Sequence, residues 1–283
     1  MKLTDSEIEV FIPDCVDPQV AMKRTTDLCF AAHPDDIEIM AYGPIAACFD
    51  DPERFFGGCV VGNGAGSPRS DTTYKDCTDE QMKYLRISEQ KKAAQIGNYS
   101  LQVLFGLDSK QIKNGCDTST VDMIEKLLLD VGPDIVYTHN LADKHDTHVA
   151  VALRVIEAAR RLPLEKRPRN FYSLEVWRGL DWLCDEDKVI FDTTPYPDMA
   201  AAILEVYESQ IAGGKRYDSA TLGRRMANAT FFESHETDNF SSLSYGLDIT
   251  ELIRDRALDP EEFIQQYISN FSKDVTSRLE KLR

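Results

Sequence analysis

Between residues 26 and 177 short apolar runs alternate with longer amphipathic stretches, and no other feature limits the fold of this chain as strongly. Strand-like runs at 26–32, 58–61 (GCVV), 101–105 (LQVLF), 134–138 (DIVYT) and 171–177 (FYSLEVW) are separated by helical patterns at 37–49, 79–96, 120–131 and 148–161. In the 79–96 segment Met82, Leu85 and Ala93 recur on one face, and Gly97-Asn98 supplies the stop. The 37–49 pattern carries an expected break at Gly43-Pro44, and Gly132-Pro133 closes the 120–131 pattern. Strands and helices alternating at this spacing indicate βαβ units around a mainly parallel sheet, an α/β chain of Rossmann-like, three-layer αβα type. After residue 192 the pattern turns helical, with helices expected at 198–211 and 260–282. No linker is evident. The expectation is one domain over 1–283: an irregular lead-in at 1–23 marked by Pro13 and Pro18, a core at 24–191, and a mostly helical part at 192–283.

A chain of 283 residues, 42% hydrophobic, is long enough for such a core. Its 48 acidic against 32 basic side chains give a formal charge of -16, which argues against binding nucleic acid or an anionic membrane through a general basic surface. A small anionic ligand held by a few local cations is still compatible with that charge. Polar residues interrupt every apolar run of MKLTDSEIEVFIPD, unlike a signal peptide, and nothing approaches the ~18 apolar residues of a spanning helix. A cytoplasmic protein with no membrane anchor is therefore expected. The seven cysteines are scattered, without a C-x-x-C pair, and read as reduced thiols.

The chemistry concentrates at two strand ends. In CFAAHPDDIEIM, residues 29–40, an apolar strand runs abruptly into His33, Pro34, Asp35 and Asp36. The segment THNLADKHDTH, residues 138–148, follows the 134–138 strand. In open parallel sheets the ligand crevice lies beyond the carboxyl ends of the strands, so both segments should open onto one rim. Four of the five histidines (His33, His139, His145 and His148) sit in these two segments; His235 does not and is assigned no role. Asp35, Asp36, Asp143 and Asp146 accompany them, with Asp134 nearby. His33 and Asp36, three residues apart around a turn, can converge on one ion. His145 and His148 share that spacing at a helix start, and one of them can ligate while the other points at substrate. Imidazole with one carboxylate suits Zn²⁺, with Fe²⁺, Co²⁺ and Mn²⁺ also compatible. Asp35, between the two ligands of the first loop, is placed to touch metal-bound water. The Gly-rich NGAGSPRSD, residues 63–71, lacks the pattern of a phosphate-binding loop and reads as a flexible loop over the pocket, where Arg69 could meet an anionic substituent. Trp177 and Arg178 follow the last core strand and could line the pocket.

Ala32-His33-Pro34-Asp35-Asp36 at a strand end, with the later His145-Asp146-Thr147-His148, resembles the signature of the PIG-L/LmbE-like metal-dependent N-acetylglucosaminyl de-N-acetylases. LRISEQKKAAQIG, residues 85–97, looks like that family's R-x-x-E…A-A…G helix, and Glu208-Ser209-Gln210 looks like its late S-Q segment. The resemblance implies zinc ligands His33, Asp36 and His148, Asp35 as general base, and His145 as the group that stabilises the oxyanion or protonates the leaving amine. Arg86 matches the family arginine that contacts the sugar; Asn63 and Trp177 are further expected substrate contacts. In two places the chain departs from the family pattern. Thr147 stands where the family usually has aspartate, which leaves either Asp143 or Asp146 to orient His145, and Glu208 stands where histidine is common.

The implied reaction is removal of an acetyl or acyl group from the 2-amino group of an N-acetylglucosamine-type small-molecule conjugate, by zinc-activated water with Asp35 taking its proton. Carboxylates around His145 are expected to favour its charged form. A homo-oligomer is among the states the resemblance allows. Two other readings of the same cluster are a metallo-phosphoesterase and a carbohydrate-binding protein that keeps the fold without turnover.

Overall fold

The computed structural model describes residues 8–69, 73–233, 235 and 237–283. The chain opens with β1 (Glu9–Phe11) and α1 (Pro18–Arg24), followed by β2 (Asp27–Ala31), α2 (Asp36–Met40), α3 (Tyr42–Phe49) and β3 (Phe56–Gly62). Then come α4 (Asp79–Ile96), β4 (Leu101–Leu107), α5 (Ser109–Lys113), α6 (Ser119–Val131), β5 (Ile135–His139), α7 (Asp146–Arg161) and β6 (Asn170–Leu174). The remainder holds β7 (Val189–Asp192), α8 (Pro197–Glu205), α9 (Glu208–Ile211), α10 (Tyr217–Phe231), β8 (Leu243–Asp248), α11 (Thr250–Arg254) and α12 (Pro260–Leu282).

The strands form one eight-stranded sheet in the order β1-β4-β3-β2-β5-β6-β8-β7. Its five central strands are parallel, and β1, β8 and β7 add antiparallel edges. The chain builds outward from β2 through β3 to β4, then returns to place β5 on the other side of β2. That reversal makes the β2/β5 boundary the topological switch point, where α/β sheets open a crevice at their carboxyl ends.

β2 is buried along its whole length, as a central parallel strand must be. Leu28, Phe30 and Ala32 pack with α6 and α7 on one face, and Cys29 and Ala31 pack with α2, α3 and α8 on the other. Helices on both faces of a mostly parallel sheet give the three-layer αβα architecture.

Several boundaries differ from those the sequence suggests. The described part of the lead-in is regular rather than irregular: β1 pairs with β4, and Pro18 is the first residue of α1 behind the N-cap Asp17, where a missing N–H costs nothing. The break in the 37–49 helix falls at Ala41, because Pro44 is tolerated within the first turn of α3. FYSLEVW leaves the sheet after Leu174, where Glu175 turns to accept the Gly179 and Leu180 N–H groups. The helix expected at 198–211 divides at Val206-Tyr207, and beyond residue 192 the chain contributes β8 as well as helices. Of the Gly-rich segment, Ser70 and Asp71 lie outside the described residues.

Candidate active site

β2 delivers the first loop into the switch-point crevice, and β5 delivers the second. The two are tied by Ala32 N–H, which donates to His139 Nε2 (2.9 Å), so the lone pair of His139 is occupied. His139 is fully buried, and burial followed by the nearby His148 pulls its pKa down to about 4. A neutral, stacked ring 4.0 Å from that of His148 is a structural neighbour of the cluster.

His33 Nδ1, Asp36 Oδ2 and His148 Nε2 converge. His33 Nδ1 lies 3.2 Å from Asp36 Oδ2 and 3.2 Å from His148 Nε2, and Asp36 Oδ2 lies 3.4 Å from His148 Nε2. A tetrahedral ion with bonds of about 2.0–2.1 Å to nitrogen and oxygen has ligand–ligand edges of about 3.3–3.4 Å. The donor set thus fits a zinc-like divalent metal, which His33, Asp36 and His148 would hold. The surroundings fix these side chains. His33 N–H donates to Asp36 Oδ2 (2.8 Å), and Asp143 Oδ2 lies 3.2 Å from His148 Nδ1, an arrangement that leaves Nε2 facing the cluster. Burial alone would raise the Asp36 carboxyl, but the imidazoles of His148 and His33 outweigh it and hold the group well below the usual range. For His148, burial is outweighed by Asp36 and Asp143, and its pKa is raised.

Asp35 adopts φ 94°, a left-handed conformation uncommon for any residue but glycine. Its carboxylate faces the Arg86 guanidinium at 3.0 Å, its N–H donates to Gln90 Oε1 (3.3 Å), and Arg86 also donates to the Pro34 carbonyl. Burial pushes Asp35 up to about 6 against the pull of Arg86, with the adjacent Asp36 adding to the rise. Gly62 lets the end of β3 approach this loop, for a Cβ there would lie 2.5 Å from the Ala32 carbonyl oxygen.

His33, Asp35, Asp36, His145 and His148 line a cavity of about 600 Å³, within the range of small-molecule sites. Asn63, Arg86 and Trp177 line it too. Arg86 is nonetheless fully buried and engaged by Asp35 and Glu89, which makes it a holder of the acidic loop. His145, the N-cap residue of α7, stacks at 10° to Trp177 with centroids 6.3 Å apart, and its buried Nδ1 has no hydrogen-bond partner among the described residues. Burial and the neighbouring His148 and His33 lower its pKa, the reverse of the expectation from nearby carboxylates. Neither candidate aspartate holds the His145 ring. Asp143 supports His148 and accepts the His145, Val176 and Trp177 N–H groups, whereas Asp146 is exposed in the first turn of α7. Arg69 pairs with Asp79 and with carbonyls of its own loop, and Arg178 is exposed outside the lining. Glu208 is exposed, while Ser209 and Gln210 are buried.

Sequence reasoning missed Lys215 and Tyr217, which close the cavity from the C-terminal part, and the buried Glu38, whose carboxylate accepts from Tyr99 (2.7 Å), Tyr207 (2.6 Å) and Gln90 (2.9 Å). Glu38 had one signal, a lone carboxylate inside the apolar run around it, whereas Lys215 and Tyr217 lie in the polar stretch GGKRYD and had none.

The class is thus an α/β protein with a Rossmann-like sheet that carries a histidine–aspartate cluster at its switch point. Residues 28–159, which carry both motifs, match the family model described as PIG-L: GlcNAc-PI de-N-acetylase. No curated protein matches the chain by sequence. Among solved structures it is similar to N,N'-diacetylchitobiose deacetylase from Pyrococcus horikoshii (14% identity, TM-score 0.64, covering 86% of this chain and 90% of that one). It is also similar to GalB, the 4-carboxy-2-hydroxymuconate hydratase from Pseudomonas putida KT2440 (18%, 0.62, 80% and 96%). A third is the zinc-inhibited form of teicoplanin deacetylase Orf2 (14%, 0.59, 79% and 97%). At these identities the likeness is one of fold.

Proposed function

We propose that the protein is a zinc-dependent amide hydrolase that removes an acetyl or acyl group from the 2-amino group of an N-acetylglucosamine-type sugar conjugate. The observation that carries this reading is the 3.2–3.4 Å spacing of His33 Nδ1, Asp36 Oδ2 and His148 Nε2 beside a buried carboxylate that is no ligand. The family match over residues 28–159 supports the acyl-amide substrate class. When bound, zinc supplies a Lewis acid for the amide carbonyl and makes water a nucleophile near neutral pH.

Asp35 accepts the proton of the attacking water, and its raised pKa of about 6 places it close to where a general base works best. Arg86 keeps that carboxylate aimed at the cavity. The same proton then passes to the departing amine. His145 contributes as a neutral N–H donor to the negative oxygen of the tetrahedral intermediate, in keeping with its lowered pKa. Trp177, parallel to His145, offers a flat apolar surface to the sugar ring. A two-metal phosphoesterase is less well served. The two groups of possible ligands found among the described residues, His33 with His145 and His148 and Asp36 with His139 and His148, share His148, and His139 has its Nε2 occupied by Ala32 N–H.

Zinc-loaded protein incubated with N-acetylglucosamine conjugates should release acetate and free amine in equal amounts. Asp35→Asn should lower kcat about 10²–10⁴-fold with zinc retained. Unchanged turnover in that variant, with the metal still bound, would remove Asp35 from the chemistry.

A further inference from the structure

α12 begins anchored and ends alone. Phe263 and Ile264 are buried and Asn270 Nδ2 reaches Asp187 Oδ2 (3.4 Å), but every residue from Phe271 to Arg283 is exposed. The buried face nevertheless continues along the free part as a stripe of Ile268, Phe271, Val275, Leu279 and Leu282, all exposed. At 100° per residue these five fall within about 40° of one line. The stripe repeats after eleven residues, from Ile268 to Leu279 and from Phe271 to Leu282, a period of ~3.67 per turn that keeps paired helices nearly straight.

From the symmetry of this stripe we infer that the free part of α12 pairs antiparallel with α12 of a second copy of the chain, about a two-fold axis at Val275. The spacing is the same read in either direction: Phe271 and Leu279 lie four residues from Val275, and Ile268 and Leu282 lie seven. An antiparallel partner therefore sets Phe271 against Leu279, Ile268 against Leu282, and Val275 against itself, which is the self-complementarity a two-fold interface requires. The flanking charges choose the same direction. Asp274 and Arg278, an ion pair within the helix at 3.0 Å, lie on one side of the stripe. In the antiparallel pair each Arg278 comes within about 3 Å, along the axis, of Asp274 of the second copy; the two Asp274 carboxylates are equally close to one another along the axis but lie between the two Arg278 cations. A parallel pair would set Asp274 against Asp274 and Arg278 against Arg278. The anchored ends of the two helices, at Tyr267, would lie about 24 Å apart along the axis.

Sedimentation equilibrium or light scattering of the full chain, loaded from about 1 to 200 μM, tests the pairing. The expected mass moves from 32.0 kDa towards twice that value as concentration rises. Val275→Asp, at an exposed position, should keep the circular dichroism of the parent and remain at 32.0 kDa throughout. Asp274→Arg should weaken association at least tenfold, and adding Arg278→Asp should restore it. A parent that stays monomeric would overturn the inference. So would association that persists in Val275→Asp, or a monomer whose helix binds anionic phosphatidylserine vesicles instead.

Discussion

At the scale of single residues, Asp35 is held where it is by its neighbours. A non-glycine residue at φ 94° carries about 1–3 kcal/mol of strain, and the guanidinium of Arg86 offsets it by binding both the Asp35 carboxylate and the Pro34 carbonyl. Arg86→Met should therefore cost about 3–5 kcal/mol in urea unfolding, because Asp35 and Glu89 would be left as buried carboxylates without their cation. A loss below about 1 kcal/mol would mean that Arg86 is not the anchor of the loop. The motif residues were legible because they are contiguous: His33 to Asp36 form one turn, and His145 to His148 form another. What Asp143 does was not legible. A spacing of five residues to His148 and two to His145 does not say which ring a carboxylate meets; the N–H groups of Val176 and Trp177, on a distant strand end, settle its direction.

At the scale of elements, the C-terminal helices brace the motif from behind. Tyr207, in the turn between α8 and α9, reaches Glu38 Oε2 (2.6 Å) and Gln90 Oε1 (2.8 Å), and Ser209 binds Glu89 through its N–H (2.8 Å) and its hydroxyl (2.7 Å). Tyr207→Phe should lower stability by about 1–3 kcal/mol, the cost of leaving buried acceptors without a donor. A urea midpoint unchanged with an unchanged slope would show that the hydroxyl is dispensable. The central strands were legible, since burial on both faces writes an unbroken apolar run. The edges were not. β1 has three half-buried residues, too few for a period, and β8 contains Ser244, Tyr245 and Gly246, which blur the apolar signal. The single helix expected at 198–211 fails for a related reason, because Tyr207 is pulled out of register to satisfy Glu38.

At the scale of the whole molecule, strand order does the work of bringing together residues 115 positions apart. The βαβ alternation made a parallel centre legible; the return of the chain from β4 to β5 beside β2 was not readable from alternation, yet it alone sets His148 against His33. A metal that bridges two such loops binds only the folded chain. Zinc at a hundred times its dissociation constant should thus add about 2.7 kcal/mol, raising the melting temperature by several degrees. Chelation should reverse the shift, and His148→Ala should abolish it. The most direct test of the account is zinc K-edge absorption on the purified, zinc-loaded protein. The expected spectrum has only nitrogen and oxygen neighbours at about 2.0–2.1 Å, with one equivalent of zinc per chain that disappears in His33→Ala and in His148→Ala. Sulfur neighbours at about 2.3 Å, or zinc retained at full stoichiometry in both variants, would contradict it.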